Sequence, residues 1–396
     1  MLLFPPNVSI AQAFKFAGNT KKQDIPFQLI KNLIIIPLYI NGLGPYNFLL
    51  DTGVTQTIIT DTTFVKRLNL KNYNMIKVQG YGFGTEVEAL FTRELSITVG
   101  KATINNVPTA IFKRDIFDLS SYLGIPIHGI IGYYFFNSFI VKINYKGNKL
   151  TIYAPESATS RKGTMIPLEI LNAKPYIKAE ITTDSLPKTE VDLLVDNGSS
   201  HPMLLESYQK ESFPLPKTTI PANLGVGING VVNGSLGRIN ALKIANFTFT
   251  DVLSGFPEFN ARRAPLEGVS RNGSLGADIL RRFIVTFDYP NKAMYLKKSG
   301  SYKGKFEHDM SGLEIYVVTK NKNYYVIGRI EEGSPAEEVG LEVNDQILRI
   351  DFKDAGIYTL SEISEIFKER DGRRVFLEVL RKNERIFVLL KLKKRI

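Results

Sequence analysis

The sequence predicts a mainly β protein made of two similar halves, followed by a smaller α+β module. Short apolar strands separated by Gly, Pro and Asn turns run through most of the chain, a pattern that is typical of all-β domains. Two blocks of the first half recur in the same order in the second half. From about residue 306 the pattern changes, because helix starts appear among the strands. The length of 396 residues is enough for two or three domains.

The composition excludes several kinds of chemistry. The chain has no cysteine and only three histidines, which excludes disulfide scaffolds, thiolate zinc sites and cysteine nucleophiles. None of the histidines lies in an H-E-x-x-H pattern. We therefore expect neither a metal site nor an organic cofactor, and any catalysis is expected to depend on Asp or Glu.

The positive charge is concentrated near the C-terminus. Residues 371–396 contain nine Lys or Arg against three acidic residues, so they carry six of the eleven net positive charges. These basic residues alternate with strand residues, and no aromatic stacking motif interleaves them. We interpret them as the solvated face of a hairpin and predict no nucleic-acid binding. No apolar run reaches the ~18 residues of a transmembrane helix.

The first residues leave the cellular location open. Ala11-Gln12-Ala13 has the form of a signal-peptidase site, but no basic region precedes it. Residues 1–24 are therefore predicted to be an N-terminal extension or the remnant of a secretion signal. We expect an exported, periplasmic or cell-envelope protein, and a cytoplasmic location stays open.

An internal repeat relates the two halves. Residues 129–152 and 273–296 match at an offset of 144, sharing two glycines, a Phe-Ile-Val run and a tyrosine. Residues 48–60 and 193–205 match at an offset of 145. The repeat pairs Asp51 with Asp196, Gly53 with Gly198 and Gly132 with Gly276. Two matched blocks in the same order indicate a duplication.

Each half contains the same series of features. An apolar strand ends at an Asp-x-Gly turn, a Gly-rich hairpin follows, and an apolar-apolar-Gly motif leads into a short helix and two more strands. The Gly-rich hairpins, at residues 79–84 and 225–230, are candidate flaps over a cleft. Packing of the halves face to face would bring the two Asp-x-Gly turns to a common axis.

Two adjacent carboxyls are suited to acid–base hydrolysis. Because two close carboxylates do not both ionise easily, one keeps a proton and the pair titrates as a unit. Such a pair can take a proton from water and give one to a peptide carbonyl, without a covalent intermediate.

At these residues the chain resembles the retropepsin-like aspartic proteases. The matching motifs are Asp51-Thr52-Gly53 with Ile130-Ile131-Gly132, and Asp196-Asn197-Gly198 with Ser274-Leu275-Gly276. The resemblance implies two β-barrel lobes in a pepsin-like bilobal domain, at residues 25–157 and 158–300. It also implies catalytic Asp51 and Asp196, a supporting set and two flaps. The supporting residues are Thr52, Gly53, Asn197, Gly198, Gly132 and Gly276, and the flap residues are Gly80, Tyr81, Gly82, Gly225 and Gly227. The family has Thr or Ser where this chain has Asn197, and that departure bears on catalysis.

The C-terminal module, residues 305–396, resembles a PDZ domain of the bacterial protease-associated kind. The similar segments are Ser311-Gly312-Leu313-Glu314-Ile315, Gly333-Ser334-Pro335-Ala336 and Val343-Asn344-Asp345-Gln346-Ile347. The resemblance implies that Gly312, Leu313, Glu314 and Ile315 bind the C-terminus of a peptide, which adds a strand to the sheet edge.

We expect a monomeric aspartic endopeptidase that cleaves peptides or proteins and binds C-terminal peptides through its PDZ domain. The alternative is a catalytically silent relative that acts as a peptide-binding scaffold. Two weaker motifs were weighed and set aside. Gly225-x-Gly227-x-x-Gly230 lacks the helix of a dinucleotide site, and Asn272 replaces the first Gly of a nucleophile elbow.

Overall fold

The computed structural model describes residues 12–61, 63–68, 70–78, 80, 86–157, 161–258, 271–319 and 323–396, and at residues 65, 66, 319 and 323 it describes the backbone only. These residues form a mainly β protein, as the sequence predicts. They group into two compact units. The larger unit contains residues up to Phe117, Ile127–Lys217 and Asn223–Gly304, and the smaller contains Asp118–Pro126, Thr218–Ala222 and Lys305–Ile396.

The first half of the larger unit is built on one sheet with the order β1-β9-β6-β10-β5-β4-β8-β7, with β3 beside β4. Its strands are β1 (Lys15–Phe16), β2 (Lys22–Pro26), β3 (Gln28–Ile30), β4 (Leu33–Ile40), β5 (Leu43–Leu50), β6 (Thr57–Ile59), β7 (Asn74–Val78), β8 (Val87–Val99), β9 (Ala102–Phe112), β10 (Gly129–Ile131), β11 (Ile140–Asn144) and β12 (Lys149–Tyr153). Its helices are α1 (Phe64–Leu68) and α3 (Tyr133–Ser138). Helix α2 (Leu119–Leu123) lies between β9 and β10 in the chain but belongs to the smaller unit.

The second half repeats this arrangement in the order β14-β15-β16-β23-β17-β22-β21-β20. Its strands are β13 (Thr164–Pro167), β14 (Glu169–Leu171), β15 (Lys174–Thr182), β16 (Thr189–Asp196), β17 (Met203–Leu205), β18 (Ser207–Tyr208), β19 (Glu211–Ser212), β20 (Thr219–Gly227), β21 (Gly230–Ile244), β22 (Phe247–Pro257), β23 (Gly273–Gly276), β24 (Phe283–Asp288) and β25 (Ala293–Lys298), with helix α4 (Ala277–Leu280). Strands equivalent in the sequence repeat occupy equivalent places in the two sheets. The duplication itself stays our interpretation of this match.

A hairpin turn fixes how the strand before Asp51 enters the sheet. Asn41 and Gly42, between β4 and β5, have φ angles of 49° and 79°. Two successive positive φ angles are characteristic of the type I′ turn, which Asn-Gly pairs favour. The turn sets the register of β5, whose last residues Phe48, Leu49 and Leu50 are buried.

A further sheet joins the two halves. Its order is β13-β25-β24-β11-β12-β2, so three strands of the second half continue into three strands of the first half. At the junction β11 pairs with β24 in antiparallel fashion, with Val141 opposite Phe287 and Ile143 opposite Val285. All four of these side chains are buried. The halves are therefore connected by a continuous hydrogen-bonded sheet as well as by the chain.

The N-terminal residues that the structure describes take part in this architecture. Phe14 is buried against the rings of Phe135 and Phe139. Strand β1 pairs with β9, and β2 pairs with β12. Strands β1 and β2 thus begin within the region 1–24 that the sequence suggested as an extension. Among the described residues, no helix is long and apolar enough to cross a membrane.

The smaller unit has its own core and sheet, ordered β26-β27-β28-β30-β31 with β29 beside β28. Its strands are β26 (Leu313–Thr319), β27 (Asn323–Ile330), β28 (Gln346–Ile350), β29 (Lys353–Asp354), β30 (Arg374–Arg381) and β31 (Glu384–Lys391), and its helices are α5 (Pro335–Glu338) and α6 (Leu360–Lys368). Both helices begin at a capping residue. Ser334 caps α5, and Thr359 forms a capping box with Glu362 at α6.

Candidate active site

Asp51 and Asp196 lie at equivalent places in the two halves. Asp51 directly follows the buried strand β5, which pairs in parallel with the short strand β10. Asp196 ends the buried strand β16, which pairs in parallel with the short strand β23. In the first half the Asp51 amide N–H donates to the Ile131 carbonyl at 2.9 Å. In the second half Asp196 lies opposite Gly276 in the parallel register. The central strands of each lobe therefore hold the aspartates in position.

The two carboxyl groups are hydrogen-bonded to each other. Each also accepts a hydrogen bond from the glycine two residues later. The Gly53 N–H donates to Asp51 Oδ1 at 2.7 Å, and the Gly198 N–H donates to Asp196 Oδ1 at 3.0 Å. Because a hydrogen bond between two carboxyls needs a proton on one of them, the pair holds one proton between its two members.

The surroundings raise both pKa values, and they raise that of Asp51 more. Burial raises the pKa of Asp51 well above its usual range, and the neighbouring Asp196 charge raises it further. Burial also raises the pKa of Asp196, but the positive charge of Arg271 and the Gly198 N–H oppose this. The shared bond raises the pKa of Asp51 and lowers that of Asp196. One member of the pair therefore keeps its proton to a higher pH than an isolated aspartate would, and the two carboxyls titrate as a unit.

Thr52 and Asn197 connect the two turns in the buried layer behind the carboxyls. Thr52 Oγ1 donates to the Val195 carbonyl at 2.6 Å and accepts from the Asn197 N–H at 3.0 Å. Asn197 Nδ2 donates to the Leu50 carbonyl at 2.9 Å, and its Oδ1 accepts from the Thr52 N–H at 2.7 Å. Both side chains are fully buried. The Asn197 side-chain amide therefore donates one hydrogen bond and accepts one, using two atoms, whereas the Thr52 hydroxyl does both with one atom.

Glycine is required where the chain passes closest to the aspartates. A Cβ atom on Gly132 would lie 2.2 Å from the Val54 carbonyl oxygen and 2.4 Å from that of Asp51. One on Gly276 would lie 2.0 Å from the His201 carbonyl oxygen. A Cβ on Gly198 would lie 2.3 Å from Asp51 Oδ2. Real Cβ atoms do not approach other atoms this closely, so any side chain here would push the carboxyls apart.

The Gly-rich segments of the two halves meet. The Gly80 N–H donates to the side-chain oxygen of Asn229, and a Cβ on Gly80 would lie 2.7 Å from Ile228 Cβ. Gly225 has a φ of +124° with open space around it, and Gly227 ends β20. Tyr81 and Gly82, the other predicted flap residues, lie outside the described residues.

Two contributions near the pair were not anticipated from the sequence. Asn229 was noted only as part of a Gly-rich run, although its side chain contacts the opposite hairpin. His201 follows Asp196 by five residues, and its Nε2 lies 3.0 Å from the Leu224 carbonyl oxygen. This contact connects the loop after Asp196 to β20. Among the described residues, no three His, Asp or Glu side chains cluster in a way that would hold a metal ion.

In the smaller unit the predicted carboxylate-binding loop forms a tight turn. Gly312 has a φ of +79°, and Leu313, Glu314 and Ile315 begin β26. The buried Asp309 accepts from the N–H groups of Ser311 and Gly312 at 2.8 and 2.9 Å. The loop is therefore held by a carboxylate of its own chain. Strand β26 is the outermost strand of its sheet, with one edge unpaired by any described strand.

Comparison with known families agrees with this geometry. A family model described as an aspartyl protease matches residues 36–135, and one described as a PDZ domain matches residues 326–381. The first range contains Asp51-Thr52-Gly53 and Gly132, and the second contains β28, α6 and β30. No curated protein matches the chain.

Proposed function

We propose that this chain, which carries an aspartyl protease domain and a PDZ domain, is a peptidase whose general acid and base are Asp51 and Asp196. The observation that supports this most directly is the close approach of the two carboxyl groups, since a Cβ on Gly53 would lie 3.1 Å from Asp51 Oδ1 and 3.2 Å from Asp196 Oδ1. Burial raises the pKa of both groups. Displaced pKa values in two adjacent carboxyls separate the acid from the base.

The proposed reaction starts with one proton on the pair, which we assign to Asp51. A water molecule between the carboxyls loses a proton to ionised Asp196 as its oxygen attacks the peptide carbonyl carbon, and protonated Asp51 gives its proton to the carbonyl oxygen. The product is a tetrahedral gem-diol. It collapses when Asp196 protonates the leaving nitrogen and Asp51 takes a proton back from a hydroxyl. The peptide C–N bond is broken, one water is consumed, and the pair returns to its starting protonation.

The buried contacts of Asn197 support the peptidase over the silent scaffold. The scaffold alternative rested on Asn197 replacing the hydroxyl residue of the family. In this chain the Asn197 amide donates to one lobe's backbone and accepts from it, so the frame that holds the carboxyls keeps its bonds. The PDZ domain, by its edge strand β26, is proposed to bind the C-termini of peptides or protein substrates.

The decisive experiment is cleavage of an unfolded protein over a range of pH. We expect a bell-shaped profile with its optimum on the acid side of neutrality, since one carboxyl must be protonated and the other ionised. Asp51→Asn and Asp196→Asn should each lower the rate by about 10³-fold or more. Asp192→Asn, on the same strand as Asp196 and facing solvent, is the matched control and should keep full activity. Folded wild-type protein that is inert at every pH would favour the scaffold.

A further inference from the structure

One segment of the protease half belongs structurally to the PDZ unit. Residues Asp118–Pro126 lie in the chain between β9 and β10, yet they group with the smaller unit. Helix α2, within this segment, packs against the edge strand β26. The side chain of Leu123, at the end of α2, is only 2% exposed. A five-residue helix is too short to be stable alone, so its packing partner holds it in place.

The contacts show where on β26 the segment lies. The Tyr122 ring lies 6.3 Å from the Tyr316 ring, and Gly124 lies beside Val317, whose Cγ2 would be 3.1 Å from an added Cβ. Because successive side chains of a strand point to opposite faces, contact with both Tyr316 and Val317 places the segment along the open edge of β26. That edge is where an added peptide strand would pair.

The same segment also reaches the helix on the other side of that edge. A Cβ on Gly124 would lie 3.2 Å from Leu360 Cδ1, and Leu360 is the first residue of α6. Helix α6 packs against β26. Gly124 therefore lies between β26 and α6, in the groove in which a PDZ domain is proposed to hold its ligand.

We propose that residues 118–126 are an internal ligand of the PDZ groove, and that an external peptide must displace them to bind. This inference rests on the proposed peptide binding at β26. The neighbouring carboxylate loop is satisfied internally as well, since the Leu313 N–H donates to Ser311 Oγ at 3.0 Å and Asp309 accepts the N–H groups before it. An external C-terminus thus competes with contacts that the chain already makes, and only ligands with high affinity open the groove.

Locking the segment tests the competition directly. The chain has no cysteine, so Tyr122→Cys with Tyr316→Cys provides a unique pair for a short, reducible thiol cross-linker. Binding of a labelled ten-residue peptide with an apolar free C-terminus would be followed by fluorescence anisotropy on the full chain. We expect the cross-linked protein to lose binding and to regain it on reduction. The two single-cysteine variants, treated identically, are the controls.

Releasing the segment should have the opposite effect. Leu123→Ser removes its buried anchor and should tighten peptide binding by about tenfold, as expected if the groove is open about one tenth of the time in the wild type. Ser121→Ala, on the same helix, should leave binding unchanged. Equal binding by the cross-linked and reduced proteins would overturn the internal ligand while leaving peptide binding in place.

Hydrogen exchange tests the internal ligand separately from the proposed peptide binding. Hydrogen exchange of the amides in residues 118–124 should be slow in the full chain and faster when the groove is altered by Val317→Ser. If exchange there does not respond to Val317→Ser, the internal ligand is wrong. If exchange does respond but no form of the protein binds the peptide, the internal ligand stands and the proposed peptide binding fails.

Discussion

Thr52 and Asn197 hold the two lobes together with unlike atoms. The threonine uses a single hydroxyl to donate to the Val195 carbonyl and to accept from the Asn197 N–H. The asparagine divides the same two tasks between Nδ2 and Oδ1. The frame behind the carboxyls is therefore symmetric in its hydrogen bonds although its sequence is not.

This relationship predicts the order of effects at position 197. Asn197→Thr keeps a donor and an acceptor and should retain activity and stability. Asn197→Asp keeps the acceptor but loses the donor to the Leu50 carbonyl and adds a buried charge beside the pair, so we expect a loss of about 3 kcal/mol or more in unfolding free energy. Urea unfolding at pH 7 would measure the stability of both variants. Equal stability of the two variants would contradict the assigned bonds.

The raised pKa of Asp51 predicts that the site costs stability at neutral pH. A carboxyl with a raised folded pKa contributes its stability below the unfolded pKa, and that contribution is lost as pH rises through the folded pKa. Asp51→Asn cannot ionise, so it should melt higher than wild type at pH 7, by about 2–4 °C per kcal/mol. The difference should shrink toward pH 3, where the wild-type pair is protonated.

Thermal melting of both proteins across pH 3–8 is the measurement. Asp192→Asn, whose carboxyl is 47% exposed, should show no such pH-dependent gain. A lower melting temperature for Asp51→Asn at every pH would mean that the charged pair stabilises the fold.

The close approach at Gly132 predicts a large effect of a single methyl group. Gly132→Ala places a Cβ 2.2 Å from the Val54 carbonyl oxygen, and the resulting backbone shift should cost about 3 kcal/mol. Gly300→Ala meets only the end of the flexible Lys146 side chain, at 3.3 Å, and should change stability by less than about 0.5 kcal/mol. Denaturant unfolding compares the two. Similar midpoints for both variants would show that Gly132 is not sterically required.

The sheet shared by the halves predicts activity that does not depend on association. Since β11 pairs with β24 within one chain, both aspartates are supplied by the same molecule. Cleavage rate per chain should stay constant on dilution from about 10 μM to about 10 nM, a concentration far below the roughly micromolar dissociation constants of weak dimers. Size-exclusion chromatography over the same range would report the mass. A rate per chain that falls in step with dissociation of a dimer would refute the prediction.

The sequence predicted the parts of the site that are local and repeated. Asp51, Asp196 and their glycines were found because each half carries the same short motif on the same strand. The β class followed from alternating patterns and turn residues. The orientation of Asn197 could not be predicted from the sequence, because its three hydrogen bonds are with Thr52 and Leu50, 145–147 residues earlier in the chain. The grouping of residues 118–126 with the PDZ unit could not be predicted from the sequence either. It depends on contacts between residues about 200 positions apart, and no periodic sequence pattern marks such contacts.

The sheet between the halves also sets the order in which the chain can fold. Strand β12 can pair as soon as it has been synthesised, because its partners β2 and β11 precede it in the chain. Strand β11, however, has an open edge until β24 has been synthesised about 150 residues later. Pairing over such a distance is slow and leaves an unpaired edge exposed in the meantime. A ribosome-bound first half therefore exposes an unpaired strand for roughly 7–30 seconds at about 5–20 residues per second. This interval is when the growing chain most needs protection from aggregation.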